Sequence, residues 1–142
     1  MNRPTSLMLI ILVLLSSCVS PPEYTDGLLE NIPAVVNETD YFSLSIFGDD
    51  YTDEKEWDIE LTTVDTDIIL STLVIKDLTI NSSDSSYLYL MRESGDTIFT
   101  AGLFSELVWT SQDSIGSIGS PKKVAFSGIN FSGRLEYQIL KQ

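Results

Sequence analysis

The chain has 142 residues, with 21 acidic and 8 basic side chains, no histidine and one cysteine, for a formal net charge of −13. That length holds one domain, the single thiol excludes an intramolecular disulfide, and the missing histidine excludes Ser-His and Cys-His nucleophiles and His-ligated zinc or iron. The acidic balance repels nucleic acid and bare anionic lipid, whose recognition needs Lys/Arg patches.

The N-terminus carries one positive charge, Arg3, ahead of an apolar run from Leu7 to Leu15. Nine residues as a helix span only about 14 Å, too short for a hydrocarbon layer of about 30 Å but right for a signal-peptide core. Small residues follow, and the run closes on Leu15-Ser16-Ser17-Cys18. This order resembles the lipobox of prokaryotic lipoprotein precursors. The resemblance covers about the first twenty residues and implies three things. The signal peptide is 1–17, Cys18 carries diacylglycerol, and Cys18 becomes the first mature residue. Two or three acyl chains hold stably where one is marginal, so the expected location is extracytoplasmic and lipid-anchored to the cell membrane. Val19 rather than Asp after the cysteine resembles the pattern sorted to the outer membrane in a diderm source.

Residues 18–40 read as an acidic tether holding Pro21, Pro22, Pro33 and Gly27. No apolar period is sustained there, and there is room for a short helical turn around Gly27–Asn31. Charge is unevenly spread. From Glu23 to Asp67 there are 14 acidic residues and one basic one, Lys55, whereas Ile68 to Gln142 holds 7 acidic and 6 basic. One half of the mature chain is therefore a negative surface and the other is nearly neutral.

From residue 41 the pattern is that of strands. Phe42, Leu44 and Ile46 alternate with serines, and Trp57, Ile59 and Leu61 alternate with Glu56, Asp58 and Glu60. Near the end Leu135, Tyr137 and Ile139 alternate with Arg134, Glu136 and Gln138. Period-2 alternation with one polar face predicts half-solvated antiparallel strands. Between them lie β-branched and aromatic runs at 68–80, 87–91, 97–104, 106–109 and 123–126. The first is too long for one straight strand and predicts a bend near Ser71–Thr72 or Lys76–Asp77. Turn chemistry falls at Gly48-Asp49-Asp50, at 81–85, at Ser127-Gly128 and at Ser132-Gly133, and Ser94-Gly95-Asp96 predicts a hairpin. The small tandem Ser114–Ser120 reads as a loop. The expectation is all-β: a single antiparallel β-sandwich of about seven to nine strands over 41–142.

No motif in this domain carries catalysis. Ser120-Pro121-Lys122-Lys123 matches the S-x-x-K spacing but enters a strand, where no helical turn brings the lysine beside the serine. Gly128–Gly133 has phosphate-loop spacing without its Lys-Ser/Thr or a following helix. Paired carboxylates allow a hydrolase, yet 21 acids guarantee pairs by chance. Two binding readings remain. Asp49, Asp50, Asp53, Asp65 and Asp67, with Glu54, Glu56 and Asp58 in the same cluster, offer hard oxygen ligands to calcium, against the reading of a solvated acidic hairpin. Tyr87, Tyr89 and Trp109 offer rings to a sugar, with Tyr87 and Tyr89 on one face of their strand and Leu88 and Leu90 on the other. The expected function is a non-enzymatic binding or structural module displayed at the cell envelope to a protein partner. The alternative is a calcium- or carbohydrate-binding sandwich.

Overall fold

A computed structural model describes residues 27–142. The signal peptide 1–17, Cys18 and the start of the tether lie outside the described residues. The chain forms β1 (Ala34–Asn37), β2 (Tyr41–Asp58), β3 (Ile68–Thr79), β4 (Tyr87–Met91), β5 (Thr97–Gly102), β6 (Leu107–Ser114), α1 (Ile115–Ile118) and β7 (Lys123–Lys141). Every strand pairing is antiparallel, and all seven strands belong to one sheet.

That sheet folds over on itself because β2 and β7 are long enough to serve both layers. The first half of β2 pairs with the last half of β7, from Tyr41–Leu140 to Gly48–Gly133. With β1, β3 and β6 these halves form a layer ordered β1-β2-β7-β3-β6. The second half of β2 pairs with the first half of β7, from Asp53–Gly128 to Asp58–Lys123. There β7 also pairs with β4, and β4 with β5. The result is an all-β, sandwich-like fold in which one sheet supplies both faces.

The corner between the layers is built from residues that read as turns in the sequence. Register shifts flank Tyr51, and Asp50 and Asn130 take positive φ of 49° and 54°. A β-bulge of this kind bends a strand without ending it. The polar groups freed by the bulge find partners across the pair. The Asp50 amide donates to Ser132 Oγ at 2.9 Å, and the Asn130 amide to Thr52 Oγ1 at 2.9 Å. Gly48-Asp49-Asp50, Ser127-Gly128 and Ser132-Gly133 are therefore corners inside β2 and β7, not chain reversals. Cross-strand pairing offered more hydrogen bonds than a turn would have.

The tether is shorter than the sequence suggested. Residues 34–37 pair with β2, and the Glu30–Phe47 bridge precedes them. Asn31 donates from Nδ2 to the Asp49 carbonyl at 3.0 Å and accepts the Asp49 amide on Oδ1 at 2.9 Å. It does so with φ at 59°, so no helical turn forms there. Pro33 and the acidic flanks hid this strand. Its existence depends on the open edge of β2, which a local reading cannot see. Other expectations hold more directly. β3 bends at Asp77, with φ of 54° and a register shift beyond Lys76. The β4–β5 hairpin turns at Gly95, with φ of 87°. The expected Ser114–Ser120 loop is shorter: Ser114 ends β6 and Ile115–Ile118 form the four-residue α1.

Alternation fills the interior as the pattern requires. Phe42, Leu44, Ile46, Leu73, Leu135, Tyr137 and Ile139 are buried from one layer, and Leu88, Leu90, Val124 and Phe126 from the other. The layers meet where Phe99 of β5 stacks on Trp109 of β6, centroids 4.5 Å apart and planes 12° apart. Trp57 packs against this core partly buried.

Candidate functional site

The outer face of the second layer carries the most organised surface among the described residues. Strand register fixes who stands beside whom. Glu54 pairs with Ser127, Ser127 with Tyr87, and Tyr87 with Gly102. One step along, Glu56 pairs with Ala125, Ala125 with Tyr89, and Tyr89 with Thr100. Side chains directly opposite across antiparallel strands share a face. Each row therefore runs carboxylate, small residue, tyrosine.

Because Ala125 and Ser127 are small, the middle of each row is a hollow. Glu54 and Glu56 wall one side, and Tyr89, Met91 and Thr97 wall the other, enclosing about 390 Å³. A second hollow of about 550 Å³ shares Glu56 and Met91 and continues toward the β4–β5 hairpin, past Asp58, Arg92, Glu93, Lys122 and Lys123. Together they form a groove across the sheet. Lys123 Nζ sits 2.6 Å from Glu56 Oε2 at the junction. This carboxylate holds the Lys123 ammonium above its ordinary pKa.

The aromatic wall is longer than the sequence suggested. Tyr87 and Tyr89 stack side by side, centroids 6.1 Å apart. Phe104 meets Tyr87 edge-on at 5.2 Å with its own ring 45% exposed. A β-carbon on Gly102 would collide with the Phe104 ring, so Phe104 lies over a glycine that makes room for it. The three rings make a row, Tyr89–Tyr87–Phe104. Phe104, Ala125 and Ser127 carried no sequence signal for a site, and Glu54 and Glu56 stood out only as acids of the cluster weighed for calcium. Only the Gly102–Tyr87 pairing, seen in advance, would have pointed to Phe104.

Trp109 does not join this row. It lies on the inner side of the other layer, against Phe99, and the two tyrosines face the opposite way. Period-2 reasoning assigns faces within a strand but not between strands.

The five aspartates are not brought to a point. Among the described residues no group of three or more acidic, histidine or cysteine side chains could hold a metal ion. Asp49 and Asp50 sit at the β2 corner, where their backbone amides are bound by Asn31 and Ser132. Asp53 Oδ2 takes Lys55 Nζ at 2.8 Å and the Tyr51 hydroxyl at 3.1 Å, and its Oδ1 accepts the Glu54 amide. The Lys55 ammonium above all holds the Asp53 carboxyl below its usual range. Asp67 Oδ2 caps the Val64 amide at 2.8 Å, and the Asp65 carbonyl accepts from Gly116. Ser120 likewise stands apart from Lys123: its hydroxyl bonds Thr63 at 2.8 Å. The Gly128–Gly133 stretch runs within β7, bent at Asn130, with no helix following it. No protein-family model matches the chain and no curated protein matches it, so the groove's own chemistry carries the functional reading.

Proposed function

We propose that the protein is a lipid-anchored, extracytoplasmic binding module without enzymatic activity, and that it holds a carbohydrate chain along the groove of its second layer. The single observation that carries this reading is the row of Tyr89, Tyr87 and Phe104 beside Glu54 and Glu56 over a floor of Ala125 and Ser127. Sugars present apolar C–H faces and a rim of hydroxyls. Ring faces with a polar tip suit the first, and carboxylate acceptors suit the second. The groove is open and walled by rigid strands rather than loops, as recognition of a repeating polymer requires. Lipid on Cys18 would keep this face near the cell surface.

Two experiments test it. Tyr89→Ala should weaken retardation of the purified protein in gels containing envelope polysaccharide by tenfold or more, a loss of about 1.4 kcal/mol. Thr110→Ala on β6 should leave it unchanged. If the parent protein is not retarded by any glycan tried, the carbohydrate reading fails. Cys18→Ala tests the anchor: the variant should leave the membrane fraction or accumulate as uncleaved precursor. Normal processing and full membrane retention would sink the anchor independently of the groove.

A further inference from the structure

A third hollow, half-open, lies at the seam between the layers, apart from the groove. It holds about 190 Å³, bounded by β5 and β6 with Ile118 of α1 beside them, and Phe99, Trp109, Ser111 and Asp113 in its lining are all half-buried. It sits where Phe99 of β5 stacks on Trp109 and Tyr137 of the other layer, with β5 and β6 not hydrogen-bonded to each other.

Its lining is divided. One part is aromatic and aliphatic: Trp109, Phe99 and Tyr137 lie nearly parallel, with Phe99 and Tyr137 6.2 Å apart and their planes 11° apart. The other part is polar, in an interior where nearly every other inward side chain is apolar. Ser71 pairs with Ser111 across β3 and β6, and with Ser86 is one of two buried polar residues among the described residues. Ser111 donates to Asp113 Oδ2 at 2.6 Å. The Tyr137 hydroxyl, fully buried, satisfies no hydrogen bond, although Ser71 is close to it. Buried polar groups in native folds are normally satisfied by protein or by ordered water, so this hydroxyl is open to a partner in the hollow.

We propose that this cavity binds a single-ring molecule bearing one hydrogen-bond donor, a hydroxyl or an ammonium. Size comes first. A cavity of about 150 Å³ lined by apolar side chains takes benzene, so about 190 Å³ suits one ring with a short substituent. Polarity decides the substituent. Asp113 can only accept, and among the described residues no cation pairs with it; the serines and Tyr137 can donate or accept. A guest donor therefore matches this wall, and a carboxylate guest would meet Asp113 as a like charge. The ring part gains from burial against the apolar lining of Ile69, Leu90, Ile98 and Ile118 beside the aromatic stack, because Phe99 already stacks on both Trp109 and Tyr137 and leaves no gap for a ring between them.

The test is titration calorimetry of the full chain in detergent, with the micelle alone as blank. The probes are phenol, benzylamine, benzene and benzoate. Phenol or benzylamine should bind at least tenfold more tightly than benzene and benzoate. Asp113→Asn, a half-exposed rim position expected to fold, should cut benzylamine binding by at least tenfold. Tyr137→Phe should weaken phenol where its unliganded near-ultraviolet dichroism matches the parent. Absence of binding by both donor probes at millimolar concentration overturns the proposal. So does benzene binding as tightly as phenol and benzylamine, or an Asp113→Asn variant that binds benzylamine unchanged. None of these outcomes depends on whether the outer groove holds a glycan.

Discussion

Phe126→Ala is expected to cost about 3–5 kcal/mol, the usual range for deleting a fully buried aromatic ring. Phe126 is 1% exposed and sits where β7 passes from one layer to the other. It stacks on Tyr51 at 5.5 Å with planes 13° apart, and meets Phe131 edge-on at 5.7 Å. These three rings fill the corner of the folded sheet. The neighbours cannot collapse onto an alanine, because Tyr51 is held by its bond to Asp53 and Phe131 by its pairing with Tyr51 across the strands. For a domain of this size the loss corresponds to roughly 10–20 °C in Tm. Urea unfolding followed by tryptophan fluorescence measures it. A cost below about 1 kcal/mol would mean that the corner does not hold the layers together.

The second large effect is expected from Gly48→Val. The backbone angle at Gly48 is ordinary, so conformational freedom is not the reason for glycine here. Space is the reason: a β-carbon at this position would lie 2.6 Å from the Phe131 carbonyl oxygen and 2.6 Å from its Cδ1. The obstructing oxygen is main chain and belongs to the strand that Gly48 pairs with at Gly133. Overpacking typically costs about 1–3 kcal/mol and more where backbone must move, so valine should cost at least about 3 kcal/mol. Gly95→Ala is the matched control. That glycine has φ of 87° and nothing within 4 Å of an added β-carbon, so it meets only the left-handed backbone penalty of about 1–2 kcal/mol. If Gly95→Ala proves the more damaging, the close approach of β2 and β7 is not what the fold depends on.

Much of the fold was legible because period-2 alternation is a local signal. Leu44, Ile46, Leu135 and Ile139 announce their burial, and Tyr87 and Tyr89 their shared face, from sequence spacing alone. The candidate site was half legible for the same reason. Its tyrosines stood out as rings, whereas Glu54 and Glu56 read only as part of an acidic cluster suited to calcium. Ala125 and Ser127 matter only as absences of bulk between two walls.

By itself, the sequence determined the strand character of the chain, its uneven charge, its lack of histidine chemistry and the lipobox-like start, because each is written in neighbouring residues. Tertiary structure alone decided that β2 and β7 run through both layers. It also decided that Ala34–Asn37 joins the sheet, that Phe104 extends the tyrosine row while Trp109 faces inward, and that the five aspartates stay apart. The physical reason is common to all of these. They depend on which strand pairs with which and in what register, and hydrogen bonds between residues some eighty positions apart, such as Asp50 with Ser132, leave no mark on local spacing.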